Sequence, residues 1–423
     1  MNDLDEIQVT TQRPENIRVL PIAAFFAGSV ISYSGDIFSL LAVPWFVLQT
    51  TGSVTQTGIT AFFATLPAVF SAFFGSALVD RLGYKRTSVS GDIASCITVG
   101  LIPLLYHTVG LAFWQLCGLV FLGGLLKSPG VTARRSIIPD LAEMAVMRLE
   151  RANALADGLN RVAGLIGAPL AGVLIVIIGT SNLLWFDAAS FALSALLIGL
   201  AVPVIIPKTR TQEIQGGYLA QLWEGVRFIQ RDTLVLSIVM VILITNMIDS
   251  AFFSVVEPAY IKHIFHSAVP LGLLVAALGG SAFVGTLLFG AIGHRLPRRL
   301  TYGIGYTIGG ALRFWVFLLL PVLPFLIAWQ IIAGLAIAPV NPILSTVMQE
   351  RLPAEMRARV FGTMSAGTLA GIPLGTLMSG YMVTWLGLQM TLLIMGALYL
   401  LTTLSLLVNP ALRGMDRPLP RGE

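Results

Sequence analysis

Runs of 18 or more apolar residues recur from Pro21 to Val408, and a run of that length is what a helix needs to cross the roughly 30 Å hydrocarbon core of a bilayer. A soluble fold is excluded by the polar side of the ledger. Only 11% of the 423 residues are charged and 56% are hydrophobic, with mean hydropathy +0.84, whereas soluble domains carry about 25% charged residues. The runs predict an all-α membrane protein of about twelve transmembrane helices, at 21–48, 54–78, 88–107, 112–133, 153–178, 182–206, 234–259, 271–293, 301–320, 322–347, 361–385 and 388–408. Pro321 and Pro324 leave the parse of 301–347 open.

Orientation follows from charge. The first 17 residues are polar and carry Asp3, Asp5, Glu6 and Glu15. They lack a basic segment before a short apolar core, so no cleaved signal peptide is expected and the first span serves as the insertion signal. With the N-terminus placed inside, Lys262 is the one of 26 Lys and Arg residues in an outside loop, and Lys127, Arg161 and Arg313 lie within spans; the rest fall in cytoplasmic segments. That bias predicts both termini in the cytoplasm. The net charge of +5 sits in short loops between spans rather than on a soluble face, so nucleic acid is not an expected partner. Cys96 and Cys117 lie far apart inside apolar runs and read as reduced core residues.

The chain also repeats itself. Displaced by 214 residues, Phe38 meets Phe252, Pro44 meets Pro258, Gly58 meets Gly272, Arg81 meets Arg295 and Gly91 meets Gly305. Displacements of 210 and 204 align Pro129 with Pro339 and Pro169 with Pro373. The expected organisation is a six-helix half over 1–206, a cytoplasmic linker over 207–233 containing Gly216-Gly217, and a second six-helix half over 234–423. Halves of this kind enclose a midplane substrate path in transporters.

Between spans 2 and 3 stands Gly75-Ser76-Ala77-Leu78-Val79-Asp80-Arg81-Leu82-Gly83-Tyr84-Lys85-Arg86, and a degenerate copy, Gly290 to Arg299, occupies the same place in the second half. Gly83 permits a tight turn, Asp80 suits a cationic partner or a helix N-terminus, and Lys85 and Arg86 suit acids or lipid phosphates. The stretch resembles the signature loop of the major facilitator superfamily, with Ser76 and Tyr84 as departures. The resemblance implies that Gly75, Asp80, Arg81, Gly83, Lys85 and Arg86 form a cytoplasmic latch between the halves; positive-inside anchoring is the plainer reading. Span 5 carries Gly164, Gly167, Pro169 and Gly172, similar to the superfamily's antiporter signature, though Ala168 interrupts it; small-residue packing explains the same pattern. Gly35-Asp36 with Pro44-Trp45, the stretch Trp185 to Phe191, and Glu224 to Ile229 resemble the macrolide-efflux branch of drug:proton antiporters. That branch also includes exporters of siderophores and a lysolipid transporter.

Ionisable residues inside a membrane are costly unless paired or used. Asp36 lies about 15 residues into span 1, roughly 22 Å deep at the helical rise, and Asp249 lies at matching depth in span 7. Both are candidate proton or cation sites, with Lys127, Arg161 or Arg313 as alternative ion-pair partners. Glu257 is expected nearer the outer end, where water reaches it, either binding substrate or simply hydrated. Arg313 needs a carboxylate, carbonyls or an anionic substrate. Asp157 and Arg161 read as an i, i+4 ion pair, Asp92 and Asp187 as acids near helix N-termini, with Asp92 also a candidate member of the latch, and Lys127 as a snorkelling or paired side chain. No GxxxxGK[ST] phosphate loop and no HExxH is present, and His107, His263, His266 and His294 lack metal-ligand spacing; no ATP, metal or other cofactor is expected, and no enzymatic constellation appears. The combined expectation is a monomeric multi-pass protein of the bacterial inner membrane. It would export lipophilic drugs such as macrolides in exchange for protons by alternating access. The alternative is the same fold moving an endogenous metabolite, a lysolipid or siderophore.

Overall fold

The computed structural model describes residues 19–204, 218–352, 354–410 and Met415; the side chains at 72–77, 80, 218–222, 354–355, 357–359 and 407 lie outside that description. The basic tail residues Arg13, Arg18, Arg413, Arg417 and Arg421, and Lys208 and Arg210 of the expected linker, fall outside it as well.

Six long rods come first: α1 (Leu20–Thr51), α2 (Val54–Leu82), α3 (Tyr84–Thr108), α4 (Phe113–Met144), α5 (Leu149–Ile178) and α6 (Thr180–Ala201). A short amphipathic helix, α7 (Tyr218–Arg231), lies within the expected linker and packs on later helices. The second set begins with α8 (Thr233–Ala251), which runs through a π turn at Phe252–Val256 into α9 (Glu257–Phe265). After α10 (Val269–Ile292), α11 (Arg298–Tyr306) passes through a second π turn, Thr307–Ala311, into α12 (Leu312–Leu319). The chain breaks at Leu320–Val322, around Pro321, and resumes as α13 (Leu323–Ile337), with Pro324 in its first turn, and α14 (Val340–Arg351). The last helix, α15 (Ala354–Val408), is two rods joined at Gly387, whose φ of 79° and ψ of 166° no L side chain adopts without strain.

Ten stretches among the described residues are long and apolar enough to cross a membrane. The last of them contains two rods, and the 29-residue α2 adds another, which gives the expected twelve. Helices α4 and α5 outrun their predicted spans. Helix α4 continues to Met144 with Ile137, Ile138 and Leu141 buried, so Arg134, expected in a cytoplasmic loop, stands inside a helix. Gly83 makes the expected turn, with φ 81°, and caps both α2 and α3.

Within the first set α1 packs on α6 and α5, and α3 on α4 and α6; within the second α8 packs on α15 and α10 on α13. The two sets meet along α2–α15 and α5–α10. With lipid on the outside, the driving force for such packing is close van der Waals contact and interhelical hydrogen bonding, and the glycines supply the closeness. A Cβ on Gly58 would stand 2.8 Å from the Gly380 Cα, and one on Gly272 would stand 2.3 Å from the Ala168 carbonyl oxygen. The Thr55 and Thr384 hydroxyls bond at 2.7 Å beside the first of these crossings. All these contacts lie toward the end of the bundle where α1 finishes. At the end where α1 begins, a vestibule of about 590 Å³ runs between α1, α3, α4 and α5.

Candidate functional site

Two cavities share one ion pair. The vestibule is polar, with Asp36, Asp92, Asp157, Lys127, Arg134 and Arg135 on its walls. A second cavity of about 290 Å³ lies deeper, walled by Leu40, Val43, Thr60, Val99, Ile102 and Val120, and reached from the second set by Ser254. Asp36 and Lys127 line both. They form a salt bridge, with side chains 32% and 23% exposed, and the Lys127 ammonium also lies 4.6 Å from the centre of the Phe191 ring. The sequence left Asp36 either functional or paired; it is paired, and it still faces both cavities.

Two further acids stand behind this pair. Asp187, completely buried, accepts a hydrogen bond from Ser39 on one carboxylate oxygen. Its other oxygen has no hydrogen-bond partner and packs against Gly35, where a Cβ would approach it to 2.3 Å. Asp92 is 2% exposed. It is bonded by the Arg134 guanidinium, by the Ser194 hydroxyl at 2.7 Å and by the Ser32 hydroxyl at 3.2 Å. Neither acid sits in a first helical turn: α3 begins at Tyr84 and α6 at Thr180. The expected N-terminal role therefore gives way to a buried network in which the partners, not the helix dipole, offset the desolvation cost.

The second set has its own cluster. Arg313, 2% exposed, forms an ion pair with Asp249, whose side chain is 27% exposed. The Tyr399 hydroxyl donates to the other Asp249 oxygen at 3.1 Å. Phe252 and Phe253 face the guanidinium at 4.5 and 4.6 Å. Glu257, expected where water reaches it, is instead fully buried, and neither of its carboxyl oxygens has a hydrogen-bond partner. The π turn at Phe252–Val256 immediately precedes it. Single π turns inside α-helices are frequent at functional sites. Both of those in this chain border the cluster, and among the described residues the first set has none.

The remaining expected residues are dispersed. Gly75 and Asp80 lie on α2, but their surroundings fall outside the described residues. Arg81 and Arg86 are exposed and Lys85 is partly exposed. In the degenerate copy, Arg298 clasps Glu350 with two bonds of 2.6 and 3.0 Å, and Arg299 donates to the Leu406 and Asn409 carbonyls at 3.3 Å. The span-5 glycines divide their work. Gly164 and Gly167 face Ile37 of α1, and Gly172 packs at the α10 crossing, where a Cβ would lie 2.8 Å from the Ala268 carbonyl oxygen; Pro169 lies inside α5 beside that crossing. Asp157 and Arg161 form no ion pair among the described residues, and Arg161 lies 5.7 Å from the Phe283 ring. At the membrane edge, Asp232 caps α8 through the Leu234 and Val235 amides at 3.0 and 3.2 Å and accepts from Arg351 at 2.8 Å. Burial pushes its pKa up, but the Arg351 hydrogen bond and charge with the cap amides outweigh that and hold it below the ordinary value. No group of three or more His, Cys, Asp or Glu suited to a metal occurs among the described residues.

Sequence reasoning missed the Asp92–Arg134 network, the buried Asp187 and Tyr399. The first was signalled by apolar periodicity continuing past Arg134; Tyr399, one of nine tyrosines, carries no signal of its own.

A family model described as Major Facilitator Superfamily matches residues 25–255 and again 238–422. The multidrug efflux pump Tap of Mycobacterium tuberculosis is 29% identical over 399 residues, covering 94% of this chain and 95% of that protein. Macrolide efflux protein A of Streptococcus pyogenes is 20% identical over 396 residues, covering 90% and 93%. The crystal structure of nucleoside transporter NupG aligns with a TM-score of 0.76 over 92% of this chain and 98% of that chain, at 13% identity, a likeness of fold.

Proposed function

Because this chain belongs to the major facilitator superfamily, we propose that it is a drug exporter of the cell membrane, driven by protons entering as lipophilic and often cationic compounds leave. That the similar proteins Tap and macrolide efflux protein A are efflux proteins supports the export reading. In this scheme the halves 1–206 and 234–423 rock about a central path, both termini are cytoplasmic, and the vestibule is the cytoplasmic entry. Asp80 and its neighbours act as the latch on that side.

One observation carries the reading: a single ion pair, Asp36–Lys127, forms part of the wall of both the polar vestibule and the deeper apolar cavity. A carboxylate at a membrane's centre needs a positive partner. Lys127 supplies it at rest, and a cargo ammonium arriving from the vestibule competes for the same oxygens while its apolar body enters the second cavity. Arg313, the residue that would favour an anionic cargo, is buried and engaged by Asp249, so the metabolite alternative gains nothing from it.

The test is accumulation of ethidium and of a macrolide in cells stripped of their own efflux pumps. Wild-type protein is expected to lower accumulation, and a protonophore or Asp36→Asn to return it to the empty-vector level. Accumulation equal to empty vector for every compound, with the protein present in the membrane, would overturn the drug-export reading.

A further inference from the structure

Hydroxyls stand among the aliphatic side chains that wall the deeper cavity, and where they send their protons decides what can bind there. Thr57, Thr60 and Thr65 of α2 donate to the Ser53, Gln56 and Ala61 carbonyls, four residues back, at 3.1, 2.9 and 2.8 Å. Ser95 and Thr98 of α3 donate in the same way to the Gly91 and Ala94 carbonyls at 2.9 and 2.8 Å. Ser39 of α1 donates to Asp187. Each of these hydroxyls has committed its one proton, and each oxygen keeps lone pairs that still accept. Ser254, reaching in from the second set, stands outside this pattern.

The rest of the wall sharpens the bias. Asp36 accepts only, when ionised, and Lys127, the cationic donor here, is engaged by Asp36 and by the Phe191 ring. On α4 the wall has no side chain at Gly123, where a Cβ would stand 2.7 Å from the Thr98 hydroxyl oxygen; the glycine leaves that oxygen uncovered. An N–H group entering this space adds a hydrogen bond and breaks none. A carbonyl or ether can be served by these hydroxyls only after one of them gives up its backbone bond, an exchange without net gain. An alkylated nitrogen adds nothing. At about 290 Å³ the cavity is at the small end of sites for drug-sized ligands, which suits a compact fused-ring body.

We propose that this cavity selects its cargo by N–H groups. Compact polycyclic cations bearing primary amino groups are held by the α2 and α3 hydroxyls, in preference to equally charged analogues whose nitrogens are alkylated. This rests on the drug-export reading above and narrows its substrate class. The preference runs against lipophilicity, since alkylation favours partition into apolar surroundings and here weakens binding. It therefore separates a hydrogen-bonding site from a merely greasy one.

Thionin and methylene blue make the comparison. Both have the same permanently charged phenothiazinium core, with primary amino groups on thionin and dimethylamino groups on methylene blue. Dissociation constants are measured by dye fluorescence on the full-length protein in nanodiscs, after subtraction of empty nanodiscs. Thionin should bind about tenfold more tightly, the worth of one or two ordinary hydrogen bonds. Thr60→Val combined with Thr98→Val keeps the branched shapes but removes two acceptors, and should bring the ratio of the two constants close to one. Thr98→Ser, which keeps the acceptor, should preserve the ratio. Methylene blue binding as tightly as thionin in wild type overturns the proposal and needs no variant to do so. A ratio unchanged in the double variant, with both dyes weakened alike, also overturns it, because the threonines would then act through packing. Export is read separately in cells. Export of both dyes alongside equal binding would overturn the selectivity alone, whereas export of neither, with the protein in the membrane, would overturn the drug-export reading, and the binding ratio would still decide the selectivity.

Discussion

Arg134 stands one position past the predicted end of the fourth span, and the structure turns it from a loop charge into the partner of a buried acid. Its Nε also donates to the Ser88 hydroxyl at 3.0 Å, so α3, α4 and α6 are tied through one guanidinium. Replacing one partner of such a pair strands the other in a medium that cannot solvate it, a loss of about 3–5 kcal/mol in buried pairs. Arg134→Met is therefore expected to lower the unfolding temperature of the purified protein strongly. Arg134→Met combined with Asp92→Asn should recover most of that loss, because no bare charge then remains; equal losses in the single and double variants would refute the pairing argument. The acids and bases were legible in the sequence as charges embedded in apolar runs. Three candidate partners were legible too, but not which acid meets which base, because Asp36 and Lys127, or Asp249 and Arg313, are brought together only by helix packing, and hydropathy says nothing about which face of a helix meets which neighbour.

At the level of helices, what was legible was whatever leaves a mark in hydropathy or in glycine and proline. The break between α12 and α13 and the turn at Gly83 fall where those residues predict. The two π turns were not legible, since Phe252–Val256 and Thr307–Ala311 have the composition of ordinary apolar helix and a π turn is a choice of hydrogen-bond register rather than of residue. The start of α8 offers a test with a definite sign. Asp232 is held below its ordinary pKa by Arg351 and two amides, so its contribution to stability is fully present above the unfolded-state value of about 3.9 and disappears as pH falls through the lower folded-state value. Asp232→Ala removes both the cap and the ion pair and is expected to cost about 0.5–2 kcal/mol at neutral pH, and the variant should lack the acid-induced fall in unfolding temperature that wild type shows in that window. A parallel fall in both proteins would show that other carboxylates govern the transition.

For the whole molecule, twelve spans and their duplicated pattern could be read from apolar runs and repeat spacing alone, whereas the two cavities could not, because they are the space left after packing. That packing makes a prediction about motion. With Cys96 and Cys117 replaced by alanine, Thr55→Cys and Thr384→Cys stand where two hydroxyls now bond at 2.7 Å. Oxidation should staple α2 to α15 and halt ethidium export, and reductant should restore it; export that continues through the staple would mean that this end never opens. The seal it probes is made of backbone against backbone at Gly58–Gly380 and Gly172–Gly272, two threonine hydroxyls, and the Lys262 ammonium on the Leu48 carbonyl. The ion pairs described above, Asp36–Lys127, Asp92–Arg134, Asp249–Arg313, Asp232–Arg351 and Arg298–Glu350, each lie within one set of helices and away from this seal. A closure of this kind gives ionic strength little to screen, and its grip depends on how tightly two pairs of helices are pressed together. The surrounding acyl chains do that pressing, so the thickness and lateral pressure of the host membrane become part of the transporter's control.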